Sequence, residues 1–132
     1  MNNDTPTPAE YETALALVLA EHARWLADDQ TGTRLDLSGT NLRRANLSRA
    51  WLDNANLSKA YLTKADLSKA RLSKTDLSEA VLWRANLSKA VLSEAYLSEA
   101  YLSEANLSLA NLTSANLSEA VLSGAIGVER AQ

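Results

Sequence analysis

The chain has 132 residues, 46 % hydrophobic and 22 % charged, with four glycines, two prolines and a formal net charge of −3. That balance suits one compact soluble domain. Cysteine is absent, which excludes disulfides and thiolate metal sites and leaves a reducing compartment, the cytoplasm, as the expected location.

Residues 1–7 read as a flexible N-terminus, and the first element is a helix. Thr7-Pro8-Ala9-Glu10 has the form of a capping box with proline at the first helical position. Tyr11, Leu15, Val18, His22 and Trp25 then recur at helical spacing down one face. The pattern predicts an amphipathic helix over 8–28, within a capping unit over 8–30. The run from Ala14 to Ala20 is apolar, but the residues before it carry Asp4, Glu10 and Glu12 and no Lys or Arg, against a signal peptide. No stretch approaches the roughly eighteen consecutive apolar residues of a membrane span. His22, the single histidine, reads as a structural hydrogen-bonding residue rather than a catalyst or ligand.

From Leu37 onward a leucine stands at every fifth position: Leu37, Leu42, Leu47, Leu52, Leu57, Leu62, Leu67, Leu72, Leu77, Leu82, Leu87, Leu92, Leu97, Leu102, Leu107, Leu112, Leu117 and Leu122. Two residues before each, from Ala45 to Ala120, sits alanine, except at Thr75; Ser or Thr usually follows the leucine. In an α-helix a five-residue period spirals the leucines over every face, and in a flat strand an odd period puts successive leucines on opposite sides. Ala and Leu within one unit share a side, so both point inward only if the chain corners before the next unit. The backbone therefore winds into stacked coils about 4.8 Å apart. Ala, Leu, Glu and Lys favour helix by only tenths of a kcal/mol per residue, whereas burying each leucine is worth roughly 1.5 to 3 kcal/mol.

Units such as Ala45-Asn46-Leu47-Ser48-Arg49 and Ala65-Asp66-Leu67-Ser68-Lys69 resemble the pentapeptide-repeat family. The resemblance implies an all-β solenoid, a right-handed quadrilateral parallel β-helix with one unit per side and an N-terminal α-helical cap. The β-helix is expected over 35–124, as eighteen repeats in about four and a half coils, followed by a tail over 125–132. The segment His22-Ala23-Arg24-Trp25-Leu26, with Gly32 and Leu35-Asp36-Leu37-Ser38 after it, looks like the leader of bacterial members, where it caps the first coil.

With four units per coil, residues twenty apart stack. Asp36, Asn56, Asp76, Tyr96 and Asn116 then form one ladder and Asn46, Asp66, Asn86 and Asn106 another, both suited to hydrogen bonding up and down the stack. Between them run Asn41, Tyr61, Val81, Tyr101 and Val121, and Trp51, Arg71, Val91 and Asn111. Charge also varies along the chain, being −5 over 1–33, +6 over 34–89 and −4 over 90–132. Arg44, Lys64 and Arg84 make one cationic column, and Arg49, Lys69 and Lys89 a second. These columns, with Tyr61, Tyr101 and Leu109, are the candidate interaction surface.

After Leu122, Ser123-Gly124-Ala125-Ile126-Gly127-Val128 departs from the repeat, so either Ile126 and Val128 fold over the last coil or this end pairs with a second copy as a homodimer. No catalytic, cofactor or metal site is expected: no cysteine, one histidine, no glycine-rich phosphate loop and no carboxylate pair stands apart from the repeat. The serines after leucine read as corner residues whose hydroxyls satisfy the turning backbone. The expected function is a non-enzymatic scaffold or protein-interaction module with an unidentified protein partner. Two further possibilities are the family's DNA mimicry toward type II topoisomerase, disfavoured by the basic middle, and anion or nucleic-acid binding through that middle, where nucleic acid is not the expected partner.

Overall fold

The computed structural model describes residues 7–128; the segments 1–6 and 129–132, parts of the expected N-terminus and tail, lie outside the described residues. Helix α1 spans Pro8–Ala27. Its start follows from the capping box: Thr7 Oγ1 accepts the Glu10 N–H at 3.1 Å, and Glu10 Oε1 accepts the Thr7 N–H at 2.8 Å. The Thr7 N–H first, and the Thr7 side chain after it, hold the Glu10 carboxyl below its usual range. After the helix, Gly32 adopts φ +70°, where a Cβ would lie 2.2 Å from the Glu21 carbonyl oxygen. No other residue fits the return of the chain against α1.

Beyond Leu35 the chain is a solenoid. Parallel bridges join residues twenty apart without interruption, from Asp36 with Asn56 to Asn106 with Ile126. Each side of a coil contributes one bridged residue, so the sheets exist as ladders across coils rather than as strands along the chain. Every leucine is followed by a corner: the Ala45 N–H, for example, donates to the Leu42 carbonyl at 3.0 Å, closing a four-residue turn. The residue two beyond leucine has φ near +60°, as at Arg44 (61°), Lys64 (59°) and Glu99 (60°). A positive φ at the third turn residue alone is the signature of a type II turn, which ordinarily calls for glycine or asparagine. Among the described residues sixteen non-glycine residues adopt it, of which Asn54 alone is asparagine, and the others bear a strain of about 1 to 2 kcal/mol apiece. Two features offset the strain. The strained residue donates its N–H to the next coil, Lys64 to Trp83 O at 2.9 Å, and the flanking Ala and Leu are buried.

The interior is one column of alanine and leucine, with the leucines from Leu42 to Leu97 fully enclosed. Thr75, the one break in the alanine row, is buried and donates from Oγ1 to the Leu52 carbonyl at 2.6 Å, so its hydroxyl is satisfied. The column loosens at its ends: Leu37, Leu117 and Leu122 are only half-buried.

Four expectations need correction. The Asn and Asp residues of the two ladders do not bond along the stack; each Oδ1 turns back on its own corner, as Asp66 accepts the Ser68 N–H at 3.0 Å and the Ser68 hydroxyl at 2.6 Å. The serine hydroxyls after such residues therefore serve the Asx side chain rather than the backbone. Where the preceding residue is bulky, the serine is released and pairs axially, Ser73 with Ser93 at 3.0 Å and Ser103 with Ser123 at 3.2 Å. Ile126 neither folds over the last coil nor leaves the register: it bridges Asn106 and stays exposed, while Val128 packs against the core. Val18 is exposed as well, and Leu19 packs inward with Tyr11 and Leu15, because the helix rests on the coil along the row spaced by four.

Candidate interaction surface

His22 anchors α1 to the first coil. Nδ1 accepts the Leu35 N–H at 2.9 Å, which leaves Nε2 the protonated nitrogen and makes it the donor to the Asp53 carbonyl at 2.8 Å. Both ring nitrogens are thus used by the neutral ring, and burial pushes the imidazole below its usual range. Trp25 stacks on it at 5.6 Å, with the Arg34 guanidinium 5.9 Å from the indole. The other end of the helix is tied by the Tyr11 hydroxyl, which donates to Asn41 O at 3.0 Å; burial raises the Tyr11 phenol above its ordinary value.

Asp53 stands where the repeats otherwise place Ser or Thr. Its Oδ1 accepts the Ser73 N–H at 3.2 Å, supplying from the coil before what a local Asx residue supplies elsewhere. Oδ2 lies 3.0 Å from Arg71 Nη2, paired by charge without an aligned hydrogen bond. The Arg71 guanidinium lies over the Trp51 ring, 4.5 Å from its centroid. Arg43 and Trp83 depart from Ser/Thr at the same repeat position, and both take part in ring-cation contacts: Arg43 lies 4.5 Å from the Tyr61 ring, while Lys64 and Arg84 lie 5.5 and 4.4 Å from Trp83. Sequence reasoning passed over Asp53, Arg43 and Trp83, and the break in the Ser/Thr row was the signal available.

Charge is sorted around the rod as well as along it. Among the described residues, the sides that start at Asn41 and Asn46 carry Arg43, Arg44, Arg49, Lys64, Lys69, Arg84 and Lys89 against only Asp66 and Glu104. The other two sides mix Arg34, Lys59, Arg71 and Lys74 with Asp36, Asp53, Asp76, Glu79, Glu94, Glu99 and Glu119. The basic middle is thus a one-sided flank rather than a belt. Within it, Arg44, Lys64 and Arg84 occupy one corner and Arg49, Lys69 and Lys89 the next, so the two columns border the third side of the coil, whose floor is Asn46, Asp66 and Asn86 with their serines. Among the described residues the one ion pair on this flank is Arg84 with Glu104, at 3.1 Å. Tyr61 lies exposed beside the first column, whereas Tyr101 falls where that column ends in Glu104. Leu109 is 61 % exposed and terminates the second column, with φ 61° like the cations below it.

A capped parallel solenoid whose polar groups are spread over flat sides is a surface-presenting repeat protein. The comparisons make the assignment specific. The family profile described as pentapeptide repeats matches eight copies over residues 33–58, 40–78, 55–93 and 90–126, and the chain belongs to that family, whose members adopt the right-handed quadrilateral β-helix and generally serve as structural or interaction modules. Among solved structures it resembles a pentapeptide repeat protein of the Arabidopsis thaliana thylakoid lumen (28 % identity, TM-score 0.58), covering 70 % of this chain and 61 % of that one. HetL of Nostoc sp. strain PCC 7120, involved in heterocyst differentiation regulation, is 35 % identical over 74 % of this chain and 44 % of its own, with a TM-score of 0.44. A pentapeptide repeat protein of the cyanobacterium Cyanothece 51142 is 31 % identical over 81 % of this chain and 93 % of its own, with a TM-score of 0.34. The chain thus spans less than two thirds of the length of the first two of these structures. No curated protein matches it. No described helix is long and apolar enough to cross a membrane.

Proposed function

We propose that this protein is a non-catalytic interaction module that docks an acidic segment of a partner protein along the third side of its coil. The observation that carries this reading is the pair of cationic columns bordering that side, of whose six cations only Arg84 has an ion-pair partner among the described residues. Neighbouring cations one coil apart, about 4.8 Å, repel by on the order of 1 kcal/mol in bulk-water dielectric. Carboxylates laid between the columns relieve that repulsion while adding their own attraction.

Topoisomerase mimicry needs an acidic rod, and this flank has the opposite sign. Nucleic acid is also disfavoured, because Arg43, Lys64 and Arg84 already lie over the rings of Tyr61 and Trp83 and compete with a base for them. The absence of cysteine suits a cytoplasmic setting. Affinity capture from the native host, with intact protein and with Lys64→Glu, Lys69→Glu and Arg84→Glu combined, tests the reading. The acidic partner is expected with the first and lost with the second; a partner captured equally by both removes the flank from the interaction.

A further inference from the structure

The third side leads, at its foot, into a groove. α1 crosses the first coil with Tyr11, Leu15 and Leu19 toward it, and between the helix and the stretch from Arg43 to Asn46 lies an open recess of about 400 Å³. Its wall is apolar, built from those helix residues and Ala45. Its lip carries two guanidinium groups, Arg43 and Arg44, and one carboxylate, Glu12. Arg43 is pre-positioned: it lies over Tyr61 at 4.5 Å and donates from Nη1 to Asn41 Oδ1 at 3.1 Å. Arg44 is exposed and has no ion pair among the described residues. Asn46 Oδ1 is occupied by the Ser48 N–H at 3.1 Å and the Ser48 hydroxyl at 2.7 Å, which leaves its amide nitrogen free to donate to a peptide carbonyl.

We propose that groove and flank are one continuous site for a single acidic peptide segment that begins with an apolar side chain. The apolar residue seats between α1 and Ala45, and the carboxylates that follow run up the third side between the two cationic columns. This rests on the reading that the flank docks an acidic segment, and adds where its apolar end lies. Continuity is the first argument: Arg44 and Asn46 belong both to the groove and to the first rung of the track. Size is the second. The recess is near the small end of ligand sites, room for a side chain or two rather than a whole ligand. The third is division of labour, since buried apolar anchors hold a complex while exposed charge pairs, individually weak, steer and align it.

Fluorescence anisotropy with the intact chain tests this. One labelled probe is a leucine pair followed by a run of glutamates, a second replaces the leucines by serines, and a third is a single-stranded oligothymidine of equal charge. The leucine probe is expected to bind roughly tenfold more tightly than the serine probe, the factor for seating one leucine. Ala16→Trp, which fills the groove from an exposed helix position, removes that advantage and leaves serine-probe affinity unchanged. Glu12→Ala tightens both peptides. Equal binding of the two peptides to the unaltered protein overturns the groove as an anchor while leaving acidic docking on the flank intact. Failure of both peptides to bind, or tighter binding of the oligothymidine, overturns docking of an acidic segment altogether. If Ala16→Trp disturbs the helix, the comparison of the two peptides on the unaltered protein still decides.

Discussion

The first and last coils of the rod follow one repeat and differ in what meets their edges. Over the first coil lies α1, tied at His22 and at Tyr11, and Leu42 beneath it is as enclosed as the leucines of the middle. Over the last coil no described element lies, and Leu117 and Leu122 are half-buried although their sequence surroundings match those of Leu72. A solenoid unit thus draws much of its stability from the unit stacked on it, which is why a terminal unit needs a cover.

The largest expected effect contrasts the middle with the end. Leu72→Ala should cost about 2 to 5 kcal/mol in denaturant unfolding, while Leu122→Ala should cost under about 1 kcal/mol, because a half-exposed site leaves little cavity. Equal losses would mean that the last coil is covered in solution. Next is the cap anchor. His22→Ala orphans the Leu35 N–H and the Asp53 carbonyl and should cost about 2 to 3 kcal/mol. Hydrogen exchange should then quicken at Leu42 and Leu47 and stay unchanged at Leu107.

Acid gives a smaller effect of the same kind. The His22 pKa is lower folded than unfolded, so the unfolded chain binds the proton more readily. The imidazole's contribution is therefore fully present above the unfolded value of about 6.5 and is lost as pH falls through the folded one. Protonation also removes the acceptor used by the Leu35 N–H. A thermal midpoint that drops from neutral pH toward mild acid in the native chain, but less in His22→Ala, is the expected record. The smallest effect probes the corners. Lys59→Gly and Ser114→Gly, at φ 60° and 61°, should each stabilise by at most about 1 kcal/mol, since relief of strain is partly offset by glycine's freedom in the unfolded chain. The two should agree despite their different positions.

Much of the architecture was legible in the residues. An unbroken row of leucines at an odd period leaves few solutions other than a chain that corners, and the family likeness supplied the number of sides. The cationic columns followed from counting by twenty. What did not follow was the partner of each polar group. Asp66 and Ser68 are as consistent with bonding along the stack as with bonding across their own corner, and only the folded corner, which brings the Ser68 hydroxyl within 2.6 Å of Asp66 Oδ1, decides for the latter. Ile126 reads as a break in the pattern because the unit carries glycine and lacks leucine, yet a bridge depends on backbone alone. The groove under α1 was invisible because it forms between segments some thirty residues apart.

By itself, then, the order of residues determined that the leucines share one interior and that the chain turns after each. Apolar burial is a large, repeated, non-directional term, and a strict period leaves it few ways of being satisfied. Which cations share a flank with which rings, where a helix stands off from the coil, and which hydrogen bonds the corners adopt were decided by the closed coil. Those are short-range and directional contacts, set by distances of a few ångströms between residues that only stacking brings together.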